Sequence, residues 1–168
     1  MSKRAVNLLR KQMGPAMDLV VRKATTSGTI FARGNATTAP GLVVKYPAPA
    51  TPGASAQTIT IAEIVTGILH DDPEGNATWT LPTAALAVAG VNNVAVNDCI
   101  DFVVINDATS AADEKITVAV GTGGSAVGLM VVDSQLVAGI RGSGSGLFRM
   151  RFTNVTSGSE AYVVYRLA

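Results

Sequence analysis

The run Leu147-Phe148-Arg149-Met150-Arg151-Phe152-Thr153 alternates bulky apolar residues with charged ones. Successive side chains of a strand point to opposite faces, so this period-two pattern fits a half-buried β-strand and not a helix. It predicts Phe148, Met150 and Phe152 on a covered face, with Arg149 and Arg151 on the other. Several other short apolar runs share this length and end in glycine-rich turns. Cys99 to Ile105 and Lys115 to Val120 read as strands, the second closed by Gly121-Thr122-Gly123-Gly124. Further strands are expected at 68–70, 77–81, around 126–132 and 135–140, and at 161–167. Many short strands at fairly regular spacing predict a mainly β domain, an antiparallel β-sandwich of jelly-roll type.

Two short helices interrupt this pattern. Thr60-Ile61-Ala62-Glu63 has the form of a capping box, which starts a helix ending near Gly67. Pro82 to Ala89 is alanine-rich and ends at Gly90, with Pro82 read as the first helical residue. Asp72-Pro73-Glu74-Gly75 is a turn. Residues 58–168 are thus the expected sandwich domain, and 1–57 an extended N-terminal arm or linker. Within the arm, Gly14-Pro15 breaks a short helical pattern of Leu8, Leu9, Met13 and Met17. Pro47, Pro49 and Pro52 favour extended backbone. Thr29-Ile30-Phe31 and Leu42-Val43-Val44 are short apolar pieces that cannot bury themselves alone and can add as strands to a neighbour. Fully extended, 1–57 spans roughly 190 Å at about 3.3 Å per residue, which is long enough to cross onto another subunit.

Charge separates the same two segments. Residues 1–52 hold eight basic residues against the single acid Asp18, a net of +7, whereas 53–168 hold five basic and eleven acidic residues, a net of −6. A chain split this way has a basic end suited to an acidic partner. Only 15% of residues are charged, against about 25% in ordinary globular chains. Such a surface is expected to be covered in part by other subunits.

Catalytic chemistry has little to draw on. One His and one Cys in 168 residues exclude a multi-histidine site, a cysteine zinc site and an internal disulfide. Gly142-Ser143-Gly144-Ser145-Gly146 superficially resembles a nucleophile elbow, but lies between strands and reads as a turn. Cys99 borders an apolar strand and reads as a small buried hydrophobe. His70, Asp71, Asp72 and Glu74 cluster without calcium-loop spacing, and the turn reads as solvated; a calcium site there is the lesser reading. Asp98, Asp101, Asp107, Asp113 and Glu114 read as strand ends and turns, not as an acid–base pair. Gly121-Thr122-Gly123-Gly124-Ser125 lacks the ending of a phosphate loop. The aromatics that stack single-stranded nucleic acid are sparse in the arm, where only Phe31 and Tyr46 occur. Arg149 and Arg151 read as a solvated face or as ion-pair partners of a neighbouring subunit. No apolar run has signal-peptide or membrane-span length. The expectation is a protein that is not an enzyme, with no cofactor, no metal, no membrane and no nucleic-acid partner.

From about Thr80 to Ala168 the chain resembles a domain of structural proteins from marine tailed phages, cyanophages above all. The resemblance rests on Thr80-Leu81-Pro82-Thr83-Ala84-Ala85, on Asp101-Phe102-Val103-Val104-Ile105-Asn106, on Phe148 through Ala161, and on Val164-Tyr165-Arg166-Leu167. The run Arg151-Phe152-Thr153-Asn154-Val155-Thr156-Ser157-Gly158-Ser159-Glu160-Ala161 is its most specific part. It implies a β-rich virion component and supplies no catalytic residues. The expectation is a capsid decoration (cement) protein, a homotrimer on the virion's outer shell. Its arm residues Lys3, Arg4, Arg10, Lys11, Arg22 and Lys23 would pair with acidic surface of the major capsid protein. The alternative expectation is a tail or fibre component involved in host adsorption.

Overall fold

The computed structural model describes residues 30–33, 41–44, 47–109, 114–134, 136–137, 140–141 and 144–168. The chain divides into two compact units, Met1–Lys45 and Tyr46–Ala168. In the first, β1 (Ile30–Arg33) and β2 (Gly41–Val44) form an antiparallel ribbon, with Ile30 opposite Val44 and Arg33 opposite Gly41. These strands take in Ile30-Phe31 and Leu42-Val43-Val44 of the two apolar pieces that the sequence marks as strand-like, while Thr29 lies outside the described residues.

The second unit is the body. It runs through β3 (Gln57–Thr58), α1 (Ile61–Ile64), β4 (Ile68–Asp71), β5 (Ala77–Thr80), α2 (Ala84–Ala89), β6 (Cys99–Asn106), β7 (Lys115–Ala119), β8 (Gly124–Val127) and β9 (Val131–Asp133). A two-residue ribbon, β10 (Leu136–Val137) with β11 (Ile140–Arg141), precedes β12 (Ser145–Asn154) and β13 (Ala161–Arg166). The body begins earlier than residue 58. Ala50 donates to Ile68 O and accepts from His70 N, both at 3.0 Å, and β3 starts at Gln57. Residues 50–57, read from sequence as the end of the arm, therefore lie along the body's own strands.

The body is mainly β, with sheet orders β4-β6-β12-β13-β8 and β3-β5-β7-β9. The expected all-antiparallel arrangement is not what forms. β4–β6, β13–β8, β3–β5 and β5–β7 are parallel pairs, beside antiparallel β6–β12, β12–β13 and β7–β9. The cause is the path of the chain. From β3 to β9 each strand lies in the opposite sheet from the one before it, so β3–β5, β4–β6 and β5–β7 are joined by crossovers, the connection that parallel pairing requires, whereas β9 returns antiparallel to β7.

The helices begin as capping chemistry dictates. Thr60 caps α1 through a complete capping box: its Oγ1 accepts from Glu63 N at 3.3 Å, and Glu63 Oε2 accepts from Thr60 N at 2.7 Å. For α2 the cap is Thr83, whose Oγ1 accepts from Leu86 N at 3.3 Å, and Gly90 closes the helix. Pro82 therefore precedes the cap and is not the first helical residue. Helices of four and six residues are far below the length that is stable alone in water. They are held by burying Ile64, Ala84 and Ala87.

One core unites the two sheets. Trp79, Ile116, Val118 and Val132 come from the four-stranded sheet, and Phe102, Val104, Phe148, Met150, Phe152 and Val164 from the five-stranded one, each 2% exposed or less. Phe102 and Phe148, partners across β6 and β12, stack with centroids 5.6 Å apart. Each such burial contributes about 1.5–3 kcal/mol, so the sheet-to-sheet contact dominates the stability of the body.

Two buried polar side chains join the sheets within this core. Tyr162 of β13 donates to Pro82 O at 2.9 Å and accepts from Gly121 N at 3.0 Å, reaching the loops that follow β5 and β7. Gly124 lies against its ring: a Cβ there would sit 2.5 Å from Tyr162 Cζ. Burial pushes the Tyr162 hydroxyl above its ordinary pKa, and the Gly121 hydrogen bond opposes this. Asn106, fully buried at the end of β6, donates from Nδ2 to Glu114 O at 3.0 Å and to Val132 O at 3.3 Å, and accepts at Oδ1 from Ala108 N at 3.1 Å.

Candidate functional site

Alternation assigns the outward residues of each sheet. In β12, Gly146, Phe148, Met150 and Phe152 are buried while Arg149 is exposed, as the sequence predicts. In β6, Phe102, Val104 and Asn106 are buried and Cys99 and Asp101 are exposed. Cys99 is thus not the buried hydrophobe that its apolar context suggests. It shares the parity of Asp101, and its Sγ lies 3.4 Å from Asn97 O.

The outer face of the five-stranded sheet carries a matched pair of charges. Arg149 and Asp101 are direct partners across β12 and β6, and Arg149 Nε and Nη2 donate to Asp101 Oδ1 and Oδ2, both at 2.7 Å. The Arg149 hydrogen bond holds the Asp101 carboxyl below its ordinary range, against a smaller desolvation effect. Asp101 in turn raises the Arg149 guanidinium. Arg149, read from sequence as part of a solvated face or as an ion-pair partner of a neighbouring subunit, thus pairs with Asp101 of its own chain. Asp101, read from sequence with Asp98, Asp107, Asp113 and Glu114 as a strand end or turn, lies instead within β6. Arg151 reaches Asn97 Oδ1 at 3.4 Å.

At the far end of this sheet His70 Nδ1 lies 2.6 Å from Asp107 Oδ2, with the two side chains 36% and 41% exposed. A His–Asp pair is the base half of a nucleophilic triad. The register allows a test of the third member. His70 pairs with Ile105, and Ile105 pairs with Ser145. His70 and Ser145 are therefore two strands apart, about 10 Å at roughly 4.8 Å per strand, with Ile105 between them. Hydrogen-bond reach between the side chains is not available in this arrangement. Gly144 and Ser145 lead into β12, so the serine–glycine segment meets a strand and not a helix.

The acidic turn is internally occupied. Asp71 Oδ2 accepts from Gly53 N at 2.7 Å and Oδ1 from Asp72 N at 2.9 Å, while Asp72 Oδ1 accepts from Glu74 N at 3.2 Å. Glu74 and Gly75 take φ values of 46° and 150°, which close the turn. Among the described residues no group of three or more His, Cys, Asp or Glu is placed to hold a metal ion. Nor, among them, is any helix long and apolar enough to cross a membrane.

The described surface also carries a mostly apolar groove and several exposed apolar side chains. A groove of about 360 Å³ is lined by Pro47, Pro49, Ile68, Phe102, Val103 and Leu147, together with Asp101. The outer face of the four-stranded sheet presents the uncharged rows Thr58–Thr80–Ala119 and Thr78–Thr117–Val131, next to the cross-strand charge pair Lys115–Asp133 at 4.0 Å. Among the described strands β8 ends the five-stranded sheet, and Val127, Leu129 and Leu167 are 52%, 71% and 47% exposed. Arg166 fixes this corner. Its Nη1 donates to Val131 O and, at 3.3 Å, to Leu129 O, its Nε donates to Ala168 O at 3.1 Å, and its guanidinium lies 5.5 Å over the Phe148 ring. The six basic arm residues, Lys3 to Lys23, and Asp113 lie outside the described residues. Comparisons with protein-family models, curated proteins and solved structures find no match to this chain.

Proposed function

We propose that this chain is a structural subunit of a virion, a capsid decoration protein whose body is a two-layer β-sandwich resting on the outer shell. The basic N-terminal segment runs over the major capsid protein and pairs Lys3, Arg4, Arg10, Lys11, Arg22 and Lys23 with acidic surface. The observation that carries this reading is the division of charge. A net of +7 is concentrated in residues 1–45, a separate unit from the body, and the body carries −6. An arm adds contact length to a small docking footprint, and its many contacts offset the entropy of ordering it. Exposed apolar side chains at the β8 corner, with no assembled catalytic set among the described residues, fit assembly better than catalysis. A homotrimer is the proposed state on the shell.

The test is charge reversal in the full chain. Changing the six arm residues to Glu should lower binding to purified empty capsids by at least tenfold at 0.1 M salt, because each exposed pairing is lost and replaced by repulsion. Unchanged capsid binding contradicts the arm mechanism. Binding to tails, with none to capsids, moves the assignment to a tail or fibre component.

A further inference from the structure

We propose that the open edge of β8 is the docking site for the β1–β2 ribbon of a second copy of this chain, with β2 adding as the next strand. This rests on the reading of the N-terminal segment as an assembly arm, and it names the partner of that arm's apolar middle part. Three observations carry it. First, β8 ends the five-stranded sheet and bonds only β13 among the described strands. Tyr162 N donates to Gly123 O, which sets the parallel register and turns the N–H and C=O of Ala126 toward the open side. Residues 125–128 are exposed, and Val127 and Leu129 beside them are 52% and 71% exposed. An unpaired apolar edge of this kind is a template for another strand.

Second, the ribbon pairs β1 only with β2 among the described strands. A two-stranded ribbon is at best marginally stable in water, and a third strand with apolar contact is what stabilises it. β2 is Gly-Leu-Val-Val, uncharged throughout, and it matches an edge of Ala126 and Val127. Third, the segments that hold the ribbon and the edge are opposite in net charge, since residues 1–45 carry +7 and residues 46–168 carry −6, although the ribbon and β8 themselves are nearly uncharged. One chain thus holds both a strand that needs an edge and an edge that needs a strand. Exchange between copies joins unlike surfaces head to tail. Such a contact closes into a ring when its rotation allows, and a trimeric ring is the simplest form consistent with the proposed function.

The experiment uses the free full-length protein without capsids, so its outcome is independent of capsid binding. Light scattering at micromolar concentration should give a multiple of 17.2 kDa for the wild type. Ala126→Pro blocks only the outward-facing N–H, and should dissociate the assembly to single chains with an unchanged far-UV circular dichroism spectrum. In a Cys99→Ser background, a chain carrying Ala126→Cys mixed with one carrying Val43→Cys should form a disulfide between the two chains. A wild type that stays a single chain, or an assembly that persists in a folded Ala126→Pro variant, overturns the proposal. Where Ala126→Pro does not fold, the mixed-cysteine reaction decides: absence of the cross-link in an assembled sample overturns it, and its formation supports it.

Discussion

Replacing Tyr162 by Phe removes one oxygen atom from the junction between the two sheets. The ring is retained, so the apolar packing of a residue only 1% exposed is nearly unchanged. What is lost is the donation to Pro82 O at 2.9 Å and the acceptance from Gly121 N at 3.0 Å. Both backbone partners belong to loops of the opposite sheet and lose their partner where water has little access. With about 0.5–1.5 kcal/mol for each bond, the loss is about 2 kcal/mol. For a domain of this size that corresponds to a melting temperature lower by roughly 6–10 °C. The pH dependence gives a second reading of the same bond. Burial raises the folded-state pKa of Tyr162 above its ordinary value of 10.0. The folded chain then holds the phenolic proton more tightly than the unfolded one, so this stabilisation is full below pH 10 and declines as pH rises through the folded value. The stability difference between wild type and Tyr162→Phe should therefore narrow above about pH 10. Urea unfolding at pH 7, 9.5 and 11 measures both effects. A difference below about 0.5 kcal/mol at pH 7, or one unchanged at pH 11, refutes the assignment of Tyr162 as a joint between sheets.

Three further outcomes are expected. Asn106→Leu conserves volume but removes three hydrogen bonds in a fully buried site, and denaturant titration should show a loss of about 3 kcal/mol. Asp101 is held below its ordinary range by Arg149, so its stabilisation is present above about pH 4 and is lost as pH falls through the lowered value. Melting curves between pH 6 and 2.5 should show a slightly smaller acid loss in Asp101→Asn than in wild type, and 1 M salt should shrink that gap because both side chains are nearly half exposed. A thiol reagent should modify the exposed Cys99 in the native protein at one equivalent per chain; protection until denaturation contradicts its outward placement.

Local structure was largely legible in the sequence. The alternation of 147–153 marked β12 and its buried face, and Thr60 with Glu63 marked the start of α1. The parity of Cys99 was legible too, because Asp101 two residues on shares its face, but the apolar run around them masked that signal. The path of the chain between sheets was not legible. Period-two patterning reports which face of a strand is covered and carries no information on which sheet the strand joins. The parallel pairs created by alternate crossing were therefore invisible. Tyr162 and Asn106 were missed for a related reason: their partners are backbone atoms of Pro82, Gly121, Glu114 and Val132, distant in sequence and identical in kind to every other peptide group. The open edge at β8 likewise follows only from the sheet order.

The location of the protein on the intact particle tests the proposed function most directly. Cryo-electron microscopy of purified virions should show density for this β body in many copies over the outer shell, each connected to the major capsid protein by an extended N-terminal segment. Density confined to a few copies at the tail vertex, or a shell with no such density in particles that contain the chain, contradicts the decoration role.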